Sequence, residues 1–285
     1  MKLSIIILSF NTKDLTLGCI DSLMRVKGEV KFEIIVVDNG STDGSVAALR
    51  KRKDIKLIEN KENLGFAGGN NSASKFSRGE YVLFLNSDTE VYKNTLKETV
   101  KYMDENRNIG ALTCKTVLPD GSLDRDARRS FPTPWVSITH FSGLDKIFPK
   151  SRLFSRYWYG YKSAEEIQDV DALQGAFFLT RREVLNEVGW FSEDYFLDGE
   201  DIDLSWKVKN TGKRVVYFPK VSILHIKKAS KKKRSLKSKM AGVNSMEIFY
   251  KKHMWERYSL FLNLIVVGAI YVLKGTRFIK AILGR

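Results

Sequence analysis

Two near-continuous apolar runs open the chain, Leu3 to Phe10 and Phe32 to Val37, and each closes on polar residues, Ser9-Phe10-Asn11 and Asp38-Asn39. Runs without alternation suit strands buried on both faces of a parallel sheet. Between them Leu15, Ile20, Leu23 and Met24 recur along Thr12 to Val26, with a cap near Thr12, which predicts a crossover helix and hence a βαβ unit. A third strand is expected at Ile55 to Glu59. A fourth is expected at Tyr81 to Leu85, after the turn-prone Ser77-Arg78-Gly79. Open α/β sheets bind ligands outside the carboxyl ends of their strands, so the polar residues closing these runs become the candidates for chemistry.

Three of those strand ends have a distinct character. Asp38-Asn39-Gly40-Ser41-Thr42-Asp43-Gly44-Ser45 sets a carboxylate before a tight turn and a helix opened by Ser or Asp, which suits a ribose or base contact and equally suits a turn that binds nothing. Asn63 to Asn71 is glycine-rich and would let a ligand approach the backbone. It lacks both the phosphate-loop ending and the dinucleotide G-x-G-x-x-G spacing. Leu85-Asn86-Ser87-Asp88-Thr89 places an amide and a carboxylate two apart, which strand alternation would aim to one side, toward a divalent ion and its ligand. Farther on, Asp198, Glu200, Asp201 and Asp203 crowd four carboxylates into six residues. Such a cluster can raise a carboxyl pKa for general-base work, or it can be a solvated helix start favoured by the dipole.

In their order, Ser9-Phe10-Asn11, Val37 to Ser41, Asn63-Leu64-Gly65-Phe66, Asn86-Ser87-Asp88, Gly175 to Leu179 and Glu200 to Leu204 resemble the inverting glycosyltransferases of family 2, most closely the rhamnosyltransferase-like branch. The resemblance covers roughly residues 1 to 225. It implies the GT-A fold, a Rossmann-like mixed central sheet flanked by helices. It also implies donor contacts from Ser9, Phe10, Asn11, Asp38, Gly65, Phe66, Asn70, Asn86 and Ser87, with Asp38 on the nucleotide base. Asn86-Ser87-Asp88 matches the D-x-D metal motif, Asp201 matches the catalytic base, and Glu200, Gly175 and Trp190 fall on the acceptor side.

Two departures matter. Asn86 replaces the first acid of D-x-D, so Mg²⁺ or Mn²⁺ would rest on Asp88 with His225 as second ligand, the diphosphate completing the shell. His225 also reads as an ordinary core histidine after an apolar strand. Asn70 stands where many relatives carry an arginine, removing a phosphate-facing charge and leaving an amide to orient a sugar hydroxyl. With one base and no nucleophile on the opposite face, single displacement with inversion is the economical mechanism, and Asp203 is left to brace the helix from Leu204 to Asn210.

Length adds that 285 residues suit one large α/β domain plus an appendage, here 1–225 (1–118 donor half, 119–168 acceptor or lid region, 169–225 base half) and 226–285. Two cysteines, Cys19 and Cys114, give no disulfide framework and fit a reducing compartment, and the N-terminal apolar run reads as a strand rather than a signal segment. Residues 119–168 mix Arg125, Arg128, Arg129, Phe131, Trp135, Tyr157, Trp158 and Tyr159 with Pro132, Pro134 and Pro149, an acceptor wall or a plain surface insertion. Eight Lys or Arg fall between Lys227 and Lys239 and supply much of the net charge of +15. Nucleic acid is disfavoured for want of a reading motif. The apolar stretch Leu260 to Leu273, too short for an ordinary span, favours attachment to an anionic membrane surface, with a helix packed on the catalytic domain or a second subunit as the alternative. The expected enzyme works at the cytoplasmic face of the inner or plasma membrane. It takes a nucleotide deoxyhexose such as dTDP-rhamnose and a lipid-linked saccharide acceptor, and a homo-oligomer is left open. The competing expectation is a non-catalytic sugar-nucleotide-binding or scaffold protein of the same fold.

Overall fold

The computed structural model describes residues 1–227 and 235–283, so most of the lysine run lies outside the described residues. The main sheet places β3 (Lys56–Glu59), β2 (Phe32–Asp38), β1 (Leu3–Ser9) and β4 (Tyr81–Asn86) side by side and parallel. Next come β10 (Phe177–Arg181), antiparallel to β4 and to β6 (Ile109–Val117), then β11 (Arg214–His225), parallel to β6. Short β5 (Thr89–Val91) and β8 (Gln168–Asp169) pair antiparallel with β11, and β7 (Arg128–Arg129) pairs with β9 (Ala172–Leu173) in a separate ribbon. The sheet is therefore mixed.

The apolar runs lack alternation because both faces are covered. Leu3, Ile5 and Ile7 of β1 pack in one cluster with Ile20 and Leu23 of α1 (Lys13–Arg25) and with Leu96 and Met103 of α4 (Thr95–Glu105). Ile6 faces the other way, into a cluster with Ala67 of α3 (Gly65–Asn71), Leu185 of α7 (Arg182–Val188), and Leu204 and Val208 of α8 (Glu200–Asn210). Each fully buried isoleucine contributes about 1.5–3 kcal/mol, which fixes the register of β1 against its neighbours.

Several local expectations need correction. Thr12 precedes α1 but its side chain does not cap it; its Oγ1 instead lies 3.0 Å from Thr16 Oγ1 and 3.2 Å from Ser87 Oγ. The helix after Asp38, α2 (Ser45–Leu49), is entered through Gly44, while Asp43 accepts from Ser45 N and from Lys13 N at the start of α1. The glycine-rich segment forms the helix α3. Gly65 enters it at φ +79°, with Phe196 O only 2.3 Å from where a Cβ would stand, and a Cβ on Gly69 would meet Leu8 of β1 at 2.5 Å. These glycines serve close helix-to-strand packing. Finally, β4 ends at Asn86, so Ser87 and Asp88 form the turn into β5 and strand alternation does not carry to Asp88.

The segment between the sheet halves holds α5 (Pro134–Phe141) and α6 (Leu144–Ile147). Beyond β11 come α9 (Leu236–Phe249), a wide π-type turn over Tyr250–Met254, and α10 (Leu260–Leu283). The tail docks on α8: Ile202, Trp206, Phe249, Tyr250, Met254 and Ile270 share a third apolar cluster. Buried Asp203 accepts from His253 Nε2 at 2.7 Å and from Tyr195 OH at 3.3 Å, so it braces α8 against the tail. α10 is 24 residues long, about 36 Å, because Lys274, Arg277 and Lys280 interrupt the apolar run without ending the helix. The helix is thus longer than the apolar stretch Leu260 to Leu273 alone, and by length and composition α10 is able to cross a membrane.

Candidate active site

The strand ends gather two neighbouring groups of side chains. At the first, Ser9 and Asp38 lie opposite each other on β1 and β2, both buried. Asp38 Oδ1 accepts from Ser41 N at 2.8 Å, while its Oδ2 is buried with no hydrogen-bond partner among the described residues. Asn11, at φ +53°, accepts from Thr42 N, and Phe10 is exposed beside it. Buried hydroxyls link this end to the next: Ser9 Oγ meets Thr16, Thr16 meets Thr12, and Thr12 meets Ser87. Asn39 holds the neighbouring turn, donating to Asn63 Oδ1 and Gly65 O and accepting from Leu64 N.

At the second, a cleft of about 460 Å³ opens over the ends of β4 and β9 and the start of α8. Phe66, Asn86, Gly175, Glu200 and Asp201 all line it. Asp201 sits in the first turn of α8, where the helix dipole favours a carboxylate, and is only 6% exposed. Its Oδ2 accepts from Arg129 Nη2 at 2.6 Å and from Gly175 N at 3.1 Å, and its Oδ1 from its own helix at Ile202 N. Burial alone would lower the Arg129 pKa, and the adjoining Asp201 more than reverses this. For Glu200, burial first and Asp201 second push the carboxyl well above the usual range, so the two side chains resist being ionised together. Glu200 Oε2 and Gln174 Oε1 are buried without partners among the described residues, and both residues line the cleft.

The expected metal pair is brought together next door. Asp88 Oδ1 lies 3.4 Å from His225 Nε2, and His225 Nδ1 lies 2.9 Å from Asp124 Oδ2. Burial would lower the His225 pKa, but hydrogen bonds to Asp124 and Asp88 carry it up to about 9. Asp124, which burial would raise, is held at about 2 by His225 and Lys227. The donor set fits a metal in one respect: a carboxylate, Asp124, on one imidazole nitrogen orients the other toward Asp88, as in histidines that ligate metals. It supplies few ligands: Asp124 is taken up by His225 and Lys227, and among the described residues no three His, Cys, Asp or Glu are arranged to hold a metal ion together.

Two expected residues go elsewhere. Asn70 is buried, its amide nitrogen donating to Phe66 O one turn back in α3, so it secures that helix instead of facing the cleft. Trp190 packs edge-on against Phe84 of β4 at 5.8 Å, because φ +58° after the Gly189 cap turns it back onto the sheet; it does not line the cleft. Arg129 and Asp124 gain their roles only in three dimensions, 72 and 101 residues from their partners. Arg128, its neighbour, is structural, donating to Ser163 O and Lys162 O. The cleft is completed by Asp126, His140, Phe141 and Tyr157 from the middle segment and by Gly242, Ser245, Met246, Phe249 and Arg277 from the tail.

The chain is 26% identical over 235 residues to the O-antigen biosynthesis protein RfbC of Myxococcus xanthus, which covers 81% of the chain but only 18% of that relative. It is 27% identical over 211 residues to the N-acetylglucosaminyl-diphospho-decaprenol L-rhamnosyltransferase of Mycobacterium tuberculosis, covering 70% of the chain and 68% of the relative. In fold it is similar to residues 1–349 of S. aureus TarS in complex with UDP-GlcNAc, with a TM-score of 0.59 at 20% identity over 87% of the chain and 65% of that structure. Residues 4–189 match the model of Glycosyl transferase family 2, with the mixed sheet and cleft just described, and the chain belongs to that family.

Proposed function

We propose that the protein is an inverting glycosyltransferase that moves rhamnose or a related deoxyhexose from a nucleotide-diphosphate donor to a lipid-linked saccharide at the cytoplasmic face of a membrane. The observation that carries this is Asp201, aimed into the cleft and held in place by Arg129 and Gly175 N. A base within hydrogen-bond reach of the acceptor hydroxyl contributes roughly 10²–10⁴-fold. Asp201 takes the proton from that hydroxyl as its oxygen attacks the anomeric carbon and the nucleoside diphosphate departs from the opposite face. Arg129 keeps the carboxylate oriented. Gln174 Oε1 accepts from a sugar hydroxyl and the Glu200 carboxyl, kept neutral beside Asp201, exchanges hydrogen bonds with another, which suits a polyol ligand better than an apolar one.

Asp38 Oδ2 takes the N–H edge of a pyrimidine base, in keeping with a UDP- or dTDP-linked donor. Asp88 and His225 Nε2 would hold Mg²⁺ or Mn²⁺, with Asp124 behind the histidine. When bound, such an ion neutralises charge on the leaving diphosphate. The rhamnosyl donor and the lipid-diphosphate acceptor rest on the name of the mycobacterial relative.

Membrane attachment falls to α10. It lies lengthwise along α9, with Lys274 paired to Glu247 and Lys239 Nζ donating to Ala281 O, so it suits a position in the membrane plane rather than across it. Phe261, Leu264, Ile265, Val272 and Ile279 face outward from that packing.

Thermal shift and release of nucleoside diphosphate with dTDP-rhamnose, UDP-glucose and UDP-GlcNAc test the donor assignment. One pyrimidine sugar nucleotide should stabilise the protein, and Asp38→Ala should erase that shift. Equal stabilisation of Asp38→Ala, or no response to any donor, would remove the basis of the reading.

A further inference from the structure

The middle segment carries a surface that the proposed reaction does not use. Trp135, Ile138 and Phe141 on α5, Ile147 and Phe148 at the end of α6, and Leu153 are all exposed, Ile147 at 66%. They are not loosely held. Beneath them His140 Nδ1 meets Asp145 Oδ2 at 2.7 Å and stacks on Tyr157, Trp135 Nε1 donates to Leu153 O, and Phe148 packs on Phe154. Rigid support below and aliphatic tips above describe a surface built to be covered.

Its charge indicates by what. Between residues 131 and 160 the single carboxylate, Asp145, is buried, while Lys146, Lys150, Arg152 and Arg156 are exposed. None of these four is in an ion pair among the described residues. Apolar tips ringed by cations match a layer of acyl chains beneath anionic headgroups. The patch also adjoins the cleft, because Phe141 of α5 and Arg277 of α10 line its walls from two sides.

We infer that α5 and α6 form a second membrane-contacting wedge, which with α10 seats the mouth of the cleft on an anionic bilayer. This rests on the proposed membrane association of α10. The acceptor then reaches the cleft along the membrane surface between Phe141 and Arg277, without its lipid leaving the bilayer.

The full chain can be labelled at one place, because Cys19 and Cys114 are fully buried and burial raises both thiols, Cys19 to about 12. Ile147→Cys on the wedge, Leu264→Cys on α10 and Lys101→Cys on α4, across the sheet from α8, would each carry an environment-sensitive fluorophore. With phosphatidylglycerol–phosphatidylcholine vesicles, the labels at 147 and 264 should shift to the blue and lose intensity when doxyl-labelled lipid is included; the label at 101 should do neither. The triple variant Ile138→Ser, Ile147→Ser, Leu153→Ser should bind the vesicles at least roughly tenfold more weakly. A label at 147 that stays in water while the one at 264 enters lipid overturns the wedge and spares the attachment of α10. Failure of both labels to enter lipid overturns both. A label at 147 that is already shielded without vesicles, and is not quenched by doxyl lipid, assigns the patch to a second copy or another protein instead.

Discussion

Replacing Asp201 by Asn removes the base and also leaves the buried Arg129 guanidinium beside a neutral amide. Loss of the base should lower kcat by roughly 10²–10⁴-fold, about 2.7–5.5 kcal/mol in the barrier. The stranded charge should destabilise the fold as well. Arg129 and Asp201 side chains are 12% and 9% exposed and 2.6 Å apart, and breaking a buried pair of that kind costs about 3–5 kcal/mol. For a chain of 285 residues that is a fall in Tm of roughly 5–10 °C. The second variant, Arg129→Gln with Asp201→Asn, removes both charges and should recover about 1–3 kcal/mol of stability without recovering turnover. Thermal unfolding and initial rates of nucleoside diphosphate release, measured on both singles and the double, separate the two effects. If turnover returned along with stability in the double variant, Asp201 would be a structural partner of Arg129 and the base would lie elsewhere.

The remaining expectations concern the tail, the ion and pH. Deleting residues 259–285 should weaken binding to anionic liposomes, leaving only the α5–α6 contact, while donor hydrolysis stays detectable; unchanged co-sedimentation would end the attachment by α10. Activity should vanish with chelator and return with Mn²⁺, and His225→Ala should raise the Mn²⁺ requirement, so identical titrations in both proteins would leave His225 a plain strand-end histidine. Glu247 is held down to about 2 by Lys251 and Lys274, against an ordinary value of 4.5. Its stabilisation of the α9–α10 contact, about 1 kcal/mol, is thus present above pH 4.5 and lost as pH falls toward 2, and Glu247→Gln should flatten the Tm profile across that window.

The strands were legible because their physics is local. Leu3 to Ser9 and Phe32 to Asp38 are continuous runs since helices cover both faces, and the polar residues at their ends fall where the sheet exposes its carboxyl edge. The acidic cluster was legible as well, as the first turn of α8, although its two readings merged: Glu200, Asp201 and Asp203 do open a helix, yet they are buried, while Asp198 precedes the helix and is exposed. What local pattern could not give was pairing over distance. Arg129 and Asp124 sit in an aromatic, basic stretch that offers no hint of Asp201 or His225 as partners. The glycines of α3 did not announce the close helix-to-strand packing that Gly65 and Gly69 permit, because a glycine that lets backbone approach backbone looks the same in sequence as one that lets a ligand approach it. Trp190, expected on the acceptor side, packs its ring against the sheet, and three basic residues hid the last third of α10.

The central claim, a single displacement driven by Asp201, is tested most directly by the anomeric configuration of the first product. Proton NMR of the enzyme with its accepted sugar nucleotide, read before mutarotation and with water or a saccharide as acceptor, should show one anomer, inverted relative to the donor. That signal should be absent with Asp201→Asn. A product of retained configuration would contradict the account, since it requires a nucleophile that the cleft is not proposed to supply.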